Sequence, residues 1–317
     1  MAVEIREKLP VILSGGAGAI GSEITKRLAL QGYHTVVILT KETRNGVTAQ
    51  QRFVDKVRDP IIQSGGIEPI PVYADLTKSD EFAEGLDLIN SKLDPQQKVH
   101  YFALAATGLR GVRTSLGRVF VGLQRIMQAR VLTEPDLIEA TNKIREVVST
   151  QRSMQPALQT NKEAAILLFE TLHKQGRFSS DSSVVNLSSS PTDDLIKGLP
   201  VNAFYDGIAK GKAGGEEALE ERCKKLGIKY LRMIAPVISG TEVGDLSAEL
   251  EKIVQAAGVK TRIPRSTISQ TAKALLSEFD HQLEGRIDRI RNVYLGENGL
   301  TYLHRPTSWP VPLLPYL

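Results

Sequence analysis

Residues 14–21 read Ser-Gly-Gly-Ala-Gly-Ala-Ile-Gly, and this stretch is the strongest indication of the class of fold. It follows the short apolar run 10–13 and leads into a segment with apolar residues four positions apart: Ile20, Ile24 and Leu28. A short apolar run indicates a buried strand, and this recurrence indicates one face of a helix. The stretch is therefore a glycine-rich turn between a strand and a helix, at the start of the first β-α-β unit.

Each glycine of this turn has a physical reason. Gly15 allows the tight turn, Gly18 lets the backbone approach a pyrophosphate, and Gly21 lets the helix pack against the strand. The N-terminus of the following helix then faces the negative charge. The turn predicts a dinucleotide-binding loop formed by Ser14, Gly15, Ala17, Gly18, Ala19, Ile20 and Gly21.

Further apolar runs alternate with longer helical stretches: Thr35–Leu39, Ile67–Tyr73, Val99–Leu104, Val184–Leu187, Ile228–Ile234 and Asn292–Leu295. This alternation is typical of β-α-β units, so we expect an α/β fold with a Rossmann-type, doubly wound parallel sheet of about seven strands. The third run contains Pro69 and Pro71. Because proline cannot donate to a strand ladder, this strand is expected at an edge, where the order 3-2-1-4-5-6 also places it.

A single dinucleotide-binding domain is expected over residues 1–305, followed by a proline-rich C-terminal tail over 306–317. Residues 109–155 interrupt the alternation after the fourth strand and are predicted to be a helical insertion. The first part of this insertion contains no acidic residue but several arginines, at positions 110, 113, 118, 125 and 130. Such a stretch is more often a solvated helical face or an oligomer contact, but it also suits the phosphate of a coenzyme A or carrier-protein thioester.

The composition excludes several classes of protein. Of the 317 residues, 41% are hydrophobic and 24% are charged, which is close to the globular average and unlike disordered, collagenous or coiled-coil chains. No apolar stretch approaches the ~18 residues of a membrane span, and residues 1–10 lack the apolar core of a signal peptide. With 5% aromatic residues and no basic run, nucleic acid is not an expected partner.

Cysteine and histidine usage gives two further expectations. Cys223 is the single cysteine, which excludes an intramolecular disulfide and fits a reducing, cytoplasmic compartment. The five histidines pair with no cysteine or acidic cluster at metal-ligand spacing, so we expect no metal site. The formal net charge of +4 suits a polyanionic small molecule such as a nucleotide.

The residues after the second strand bear on the choice of nucleotide. Thr40, Lys41 and Arg44 stand where an acidic residue would bind the ribose 2′-hydroxyl of NAD. Basic residues accommodate a 2′-phosphate instead, so Lys41 and Arg44 favour NADPH over NADH. Glu42 is the one acidic residue nearby.

Short segments along the chain keep a characteristic order and spacing: the glycine loop, Asp75-Leu76, Ala105-Ala106-Thr107-Gly108, Asn161, Val185–Ser189, Tyr205–Lys212 and Pro236–Thr241. Together they resemble the short-chain dehydrogenase/reductase (SDR) superfamily over roughly residues 8–300. The resemblance implies an NAD(P)H-dependent oxidoreductase. It also implies cofactor contacts at Asp75, Leu76, Ala105, Ala106, Thr107, Lys212, Pro236, Ser239 and Thr241.

The resemblance further implies the catalytic roles. Ser189 would hydrogen-bond the substrate oxygen, a tyrosine would donate or accept the proton, and Asn161 would hold a water that links the lysine to bulk solvent. Hydride transfer to a carbonyl builds negative charge on oxygen. A phenol with a pKa of ~10 is a poor acid at neutral pH unless a nearby cation lowers that pKa, which is the task of the lysine.

The chain departs from the usual Tyr-x-x-x-Lys spacing of the superfamily, because Ala209 stands four residues after Tyr205. Lys212 and its following residues look like the usual stretch, in which case Ile208 replaces the tyrosine. Tyr205 then precedes Lys212 by seven residues, about two helical turns, so the two share a face. This Tyr-x6-Lys spacing is similar to the divergent SDRs, the enoyl reductases. Lys210 lies five residues from Tyr205 and would point elsewhere.

Three functions therefore stay open. The first is an NADPH-dependent reductase: the Tyr-x6-Lys spacing favours C=C reduction, whereas Ser189 and the glycine loop favour a carbonyl, which we place first, on a small-molecule substrate carried as a thioester. The second is a nucleotide-sugar epimerase or dehydratase, because the glycine loop and Lys212-x-x-x-Glu216 are similar to the extended SDRs. The third is a non-catalytic nucleotide-binding protein. The resemblance also implies a homo-oligomer, a dimer or tetramer.

Overall fold

The computed structural model describes most of the chain: residues 8–43, 46–104, 119, 121–128, 130–131, 133–149, 159–189, 200–256 and 264–304. Its strands are β1 (Val11–Ser14), β2 (Thr35–Leu39), β3 (Ile70–Tyr73), β4 (His100–Ala103), β5 (Ser183–Ser189), β6 (Lys229–Ala235), β7 (Val237–Ser239), β8 (Arg265–Thr267), β9 (Ile290–Leu295) and β10 (Thr301–Tyr302).

Eight of these strands form one sheet in the order β10-β9-β6-β5-β4-β1-β2-β3. All neighbours pair in parallel except β9 and β10, which are antiparallel. The doubly wound parallel sheet expected from the sequence is therefore confirmed, and each of the seven apolar runs contributes a strand to it. The strand that contains Pro71 lies at the edge, as its prolines predict.

The expected number of strands is low by one, because β10 extends the sheet. β10 has two residues, which is too short for any alternation of apolar and polar side chains to appear in the sequence. A separate parallel ladder between β7 and β8 was missed for the same reason, since each of these strands has three residues.

The helices are α1 (Ala19–Leu30), α2 (Ala49–Phe53), α3 (Asp59–Gln63), α4 (Ser79–Lys92), α5 (Glu134–Ser149), α6 (Ala164–Lys174), α7 (Pro200–Leu226), α8 (Glu242–Ala256) and α9 (Ile268–Leu283). π-helical turns join α2 to α3 over Val54–Arg58 and lead into α6 over Gln159–Glu163. Among the described residues of the insertion over 109–155, residues 119, 121–128 and α5 are helical. The tail over 306–317 lies outside the described residues.

Helices cover both faces of the sheet. On one face α1 and α9 bury Leu28 and Phe279 against the strands, and on the other α4, α6 and α7 bury Ile89, Leu168 and Leu219. Strands covered on both sides carry continuous apolar runs rather than alternating ones, which is why every residue of β2 is buried. The same burial made these strands recognisable in the sequence.

The strand order reverses between β1 and β4, and this reversal positions the site. Ser14 at the end of β1 is paired in register with Ala103 of β4, and Ala103 is paired with Asn186 of β5. Ligands of open α/β sheets bind outside the carboxyl ends of the strands at such a switch point. The glycine loop follows β1 and Ser189 ends β5, so both lie at this edge of the sheet.

Candidate active site

The glycine loop is closed by backbone contacts. Gly15 has a φ of 80°, which L side chains rarely adopt, and its carbonyl oxygen accepts a hydrogen bond from Gly18 N at 3.0 Å. A Cβ on Gly21 would lie 2.1 Å from the same oxygen, so only glycine fits there. The N–H groups of Ala19, Ile20 and Gly21 precede the first helical bond of α1, from Ser22 N to Gly18 O.

These features fit the pyrophosphate of a dinucleotide. The turn brings bare backbone to the N-terminus of α1, where unpaired N–H groups and the helix dipole favour an anion. Gly18 is the N-cap of α1 and has no side chain that could compete with a ligand for those donors. The predicted loop residues from Ser14 to Gly21 are thus brought together as a cradle.

Thr25 of α1 stabilises the glycine loop and was not predicted as a site residue. Its hydroxyl is fully buried and lies within hydrogen-bond distance of two loop carbonyls, Gly21 O at 2.8 Å and Gly16 O at 3.2 Å. A threonine four residues after a helical glycine often bonds back to that carbonyl, which is the signal in the sequence that could have identified it.

After β2, Lys41 is engaged with an acidic residue of α4. Its Nζ lies 2.8 Å from Glu84 Oε2, and both side chains are exposed to solvent. This hydrogen bond raises the pKa of Lys41 above its ordinary value. Exposed ion pairs contribute little to stability, so a 2′-phosphate would displace Glu84 at small cost. Arg44 lies outside the described residues.

Asp75 shapes the turn that follows β3. Its Oδ1 accepts hydrogen bonds from Thr77 N at 3.0 Å and Thr77 Oγ1 at 2.7 Å, and its own backbone N–H donates to Glu81. Leu76 is partly buried against the core. The carboxylate thus fixes the backbone of the predicted adenine-binding turn. Ala105, Ala106 and Thr107, predicted to line the cofactor, lie outside the described residues.

The helix α7 carries the predicted lysine and tyrosine without interruption. Lys212 is buried, and its Nζ donates a hydrogen bond to the carbonyl oxygen of Leu187 in β5 at 3.1 Å. Burial lowers the pKa of Lys212, and the nearby Glu216 partly offsets that effect. Lys212 therefore lies at the carboxyl end of β5, where its partner Leu187 is the residue before Ser188. Lys210, two positions earlier, is about 200° away around the helix.

Ser188 and Glu216 join β5 to α7 beside this lysine. Ser188 Oγ donates to Glu216 Oε2 at 2.7 Å, and the same oxygen lies 3.8 Å from Arg232 Nη1 of β6. Sequence reasoning gave Glu216 no role beyond its place in a motif and did not identify Arg232, because their partners are distant in the chain. Ser189, the next residue of β5, pairs in register with Ala235.

Asn161 occupies the π-helical turn Gln159–Glu163, which lies against α7. The neighbouring Lys162 has its Nζ 3.4 Å from the position that a Cβ on Gly214 would take. π-helical turns frequently mark functional sites, and the role of Asn161 stays a prediction. The side chains of Asn161, Ser189 and Tyr205 lie outside the described part of the chain.

The turn between β7 and α8 has the same construction as the glycine loop. A Cβ on Gly244 would lie 2.0 Å from the carbonyl oxygen of Ile238, so this position also admits only glycine. The Thr241 hydroxyl donates to Ile238 O at 2.7 Å and accepts from Gly244 N at 3.0 Å. Thr241 therefore caps this turn, and donating its hydrogen to a phosphate would require the Ile238 bond to break. Pro236, just before β7, is buried.

A cavity of about 650 Å³ lies between the insertion and α8, lined by Gln124, Met127, Gln128, Glu249 and Lys252. Lys212, the predicted catalytic residue whose side chain the structure describes, is not among these lining residues. Of the arginines in the insertion, Arg130 forms a bidentate ion pair with Asp136, with Nη1–Oδ2 and Nη2–Oδ1 distances of 2.6 and 2.7 Å. The side chain of Arg125 is exposed.

The described residues show neither a metal-binding cluster nor a membrane-spanning helix. They contain no group of three or more histidine, cysteine, aspartate or glutamate side chains arranged to hold a metal ion. Among the same residues, no helix combines the length and apolar character needed to cross a membrane.

Comparison with solved structures identifies the fold. The chain is similar to levodione reductase (13% identity, TM-score 0.60, covering 92% of this chain and 96% of that one). It is also similar to a short-chain dehydrogenase from Burkholderia cenocepacia J2315 in complex with NADP (14%, 0.57, 92% and 97%). UDP-galactose 4-epimerase matches too (17%, 0.50, 91% and 77%). No protein-family model and no curated protein matches the sequence.

The chain therefore has the fold of the short-chain dehydrogenases/reductases, and the resemblance found in its motifs is confirmed at the level of the fold. Reductases and an epimerase share this fold, so the reaction has to be argued from the site.

Proposed function

We propose that this protein is an NADPH-dependent oxidoreductase of the SDR type that reduces a carbonyl group on a small-molecule substrate. The observation that carries the proposal is the position of Lys212. This lysine is buried at the carboxyl end of β5, at the sheet edge that also carries the glycine loop. A cation there is placed to act on a dinucleotide held by the loop and on a substrate at Ser189.

Bound NADPH would supply the hydride, and the chain's own residues would do the rest. Backbone N–H groups at the start of α1 bind the pyrophosphate, and Lys41 and Arg44 meet the 2′-phosphate. Ser189 donates a hydrogen bond to the carbonyl oxygen, where negative charge develops. Tyr205 donates the proton to that oxygen, and Lys212 lowers the pKa of the tyrosine. Asn161 holds a water that connects the lysine to solvent.

Reduction of an enoyl C=C bond is the second candidate. It is favoured by the seven-residue spacing of Tyr205 and Lys212 on the uninterrupted helix α7, the spacing that resembles the enoyl reductases. The competing support for a carbonyl is Ser189. Its neighbour Ser188 is already bonded to Glu216, which makes Ser189 the better candidate to bind substrate oxygen.

A thioester-carried substrate is the finer part of this proposal. The arginine-rich insertion supports it through Arg125, which is exposed, but not through Arg130, which is paired with Asp136. The coenzyme A, N-acetylcysteamine and free-ketone forms of one substrate distinguish the alternatives. Equal kcat/KM for all three would remove the thioester from the proposal. The homo-oligomeric state and the cytoplasmic location stay predictions.

The substitution Ser189→Ala separates the two reactions. We expect kcat for a keto substrate to fall by about 10²-fold or more, because the variant loses a donor to the developing oxyanion. Turnover of ketones and enoyl thioesters would be measured for wild type, Ser189→Ala and the control Ser190→Ala. A loss below about threefold for Ser189→Ala, with enoyl thioesters as the better substrates, would replace carbonyl reduction by C=C reduction.

A further inference from the structure

Glu216 is a buried carboxylate close to Lys212. Its side chain is 8% exposed, and it lies on α7 one helical turn after the lysine. An ionised carboxylate is costly to bury unless hydrogen bonds and opposite charges compensate it. The contacts of Glu216 therefore indicate which groups depend on its charge.

Those contacts come from two strands. Glu216 Oε2 accepts a hydrogen bond from Ser188 Oγ of β5 at 2.7 Å and lies 3.8 Å from Arg232 Nη1 of β6. The backbone carbonyl of Glu216 accepts from the buried Tyr230 hydroxyl at 3.0 Å, and Asn186 donates to that hydroxyl at 3.0 Å. Arg232 is directed in turn by a bond to Asn292 at 2.9 Å. The carboxylate is thus held from both strands.

Lys212 and Glu216 contact consecutive residues of one strand. Lys212 Nζ bonds to Leu187 O at 3.1 Å, and Glu216 bonds to the Ser188 side chain. We propose that Glu216 is a positioning residue that fixes α7 on the end of β5 and whose negative charge keeps Lys212 protonated. The catalytic meaning of that charge rests on the proposed function, because Lys212 acts there as the cation beside Tyr205.

The charges around the pair give Glu216 this electrostatic role. Burial lowers the pKa of Lys212, and Glu216 is the group that opposes this effect. Arg232 of β6 lies close to Glu216 and, as a cation, disfavours a second positive charge at Lys212. Lys162 approaches α7 at Gly214, about 200° around the helix from Lys212. Tyr230 is neutral, since burial raises its pKa. Glu220, one turn further along α7, lies 3.4 Å from Asn292 Nδ2. Without Glu216, Lys212 would lose its proton at a lower pH.

Two substitutions separate the charge of Glu216 from its contact. Glu216→Gln keeps a side-chain oxygen that accepts from Ser188 but removes the charge. Ser188→Ala removes the hydrogen bond but keeps the charge. A purely structural role predicts that both variants behave alike, whereas the proposal predicts that Glu216→Gln alone changes the titration of Lys212.

Stability against pH measures that titration without any ligand. With its pKa lowered in the folded state, Lys212 releases its proton in the folded chain before the unfolded chain does. The unfolding free energy of wild type relative to Lys212→Met therefore rises with pH, beginning at the folded pKa and ending near the unfolded value of about 10.4. We expect the rise to begin at a lower pH when both members of the comparison carry Glu216→Gln, because the opposing negative charge is gone. It should begin at the wild-type pH when both carry Ser188→Ala. An unchanged onset with Glu216→Gln would overturn the proposal.

A second measurement does not depend on the free energy of unfolding. Glu216→Asp keeps the charge, and the pH dependence of NADPH binding should follow wild type in this variant but shift to lower pH in Glu216→Gln. A shifted profile in Glu216→Asp, or the same profile in Glu216→Gln and wild type, would contradict the proposal. If the wild type binds no NADPH, the proposed function fails, and the ligand-free stability experiment still decides the role of Glu216.

Discussion

The glycine loop and the junction of β5 with α7 form two halves of the candidate site, and they are held by different kinds of contact. In the loop, the contacts are between backbone atoms. Gly18 N bonds to Gly15 O, and the absence of a Cβ on Gly21 leaves room for that oxygen. At the junction, side chains from three elements meet, with Ser188, Glu216 and Arg232 in one network. The loop therefore depends on the absence of side chains, and the junction depends on their chemical identity.

This difference predicts that the two halves fail in different ways. A change in the loop should weaken nucleotide binding, whereas loss of the proton donor at the junction should leave binding largely intact and lower turnover. Substitutions in each half test this contrast.

The largest effect is expected at the junction. Tyr205→Phe should lower kcat by roughly 10²–10⁴-fold while the NADPH dissociation constant changes by less than about threefold, because the variant loses a proton donor and no binding contact. The matched control is Lys210→Ala, on the opposite side of α7 from Lys212, which should retain near wild-type turnover. Single-turnover kinetics and nucleotide titration make the comparison. Full activity in Tyr205→Phe would remove Tyr205 from the acid–base role.

A smaller loss is expected in the loop. Gly21→Val should weaken NADPH binding by about 100-fold or more, because any Cβ at this position meets the Gly15 carbonyl oxygen at 2.1 Å and forces the loop open. Gly122→Ala is the control, since a Cβ there meets nothing within 4 Å. Titration followed by nucleotide fluorescence would check both variants. Wild-type affinity in a folded Gly21→Val protein would place the nucleotide elsewhere.

The smallest effect concerns a buried titratable group at the opposite end of the sheet. His100 Nδ1 accepts a hydrogen bond from Ser183 N at 3.0 Å, and burial lowers the pKa of His100 to about 3. Below pH ~6.5, His100 is protonated in the unfolded chain but stays neutral in the folded chain. The free energy of unfolding therefore falls as the pH decreases, until about pH 3. His100→Asn keeps an acceptor but does not titrate.

The unfolding free energy of wild type minus that of His100→Asn should therefore decrease by about 2 kcal/mol between pH 7 and pH 5, as measured by urea unfolding. NADPH binding should not change in this variant, because His100 belongs to the core rather than to the site. A constant difference would mean that His100 takes up a proton in the folded protein.

The sequence predicted what depends on local pattern. Each apolar run became a strand because burial on both faces leaves a continuous apolar signature, and Pro71 correctly marked the edge. The choice of Lys212 over Lys210 followed from helical phase relative to Tyr205 and stays a prediction, and the structure places Lys212 Nζ on the carbonyl oxygen of Leu187. The glycines of residues 14–21 likewise predicted the glycine-rich turn between the strand and the helix.

Contacts between distant residues were not predictable. Ser188 and Glu216 are 28 positions apart, and no single-sequence pattern pairs them. The Glu84 that engages Lys41 lies 43 positions away, on a helix whose orientation only the fold defines. Short strands such as β7 and β10 carry too few residues for periodicity to appear. What the sequence missed is thus the side-chain network of the junction.

Thermal unfolding of nucleotide-free protein, alone and with NADPH or NADH, tests most directly whether the loop and the junction form a reductase site. A ligand that binds only the folded state adds about 2.7 kcal/mol at 100 times its dissociation constant, which is a readily measured shift of the midpoint. We expect NADPH to raise the midpoint more than NADH does, because Lys41 and Arg44 follow β2. No shift with either nucleotide would contradict the account and leave a non-catalytic protein with a dinucleotide-binding fold.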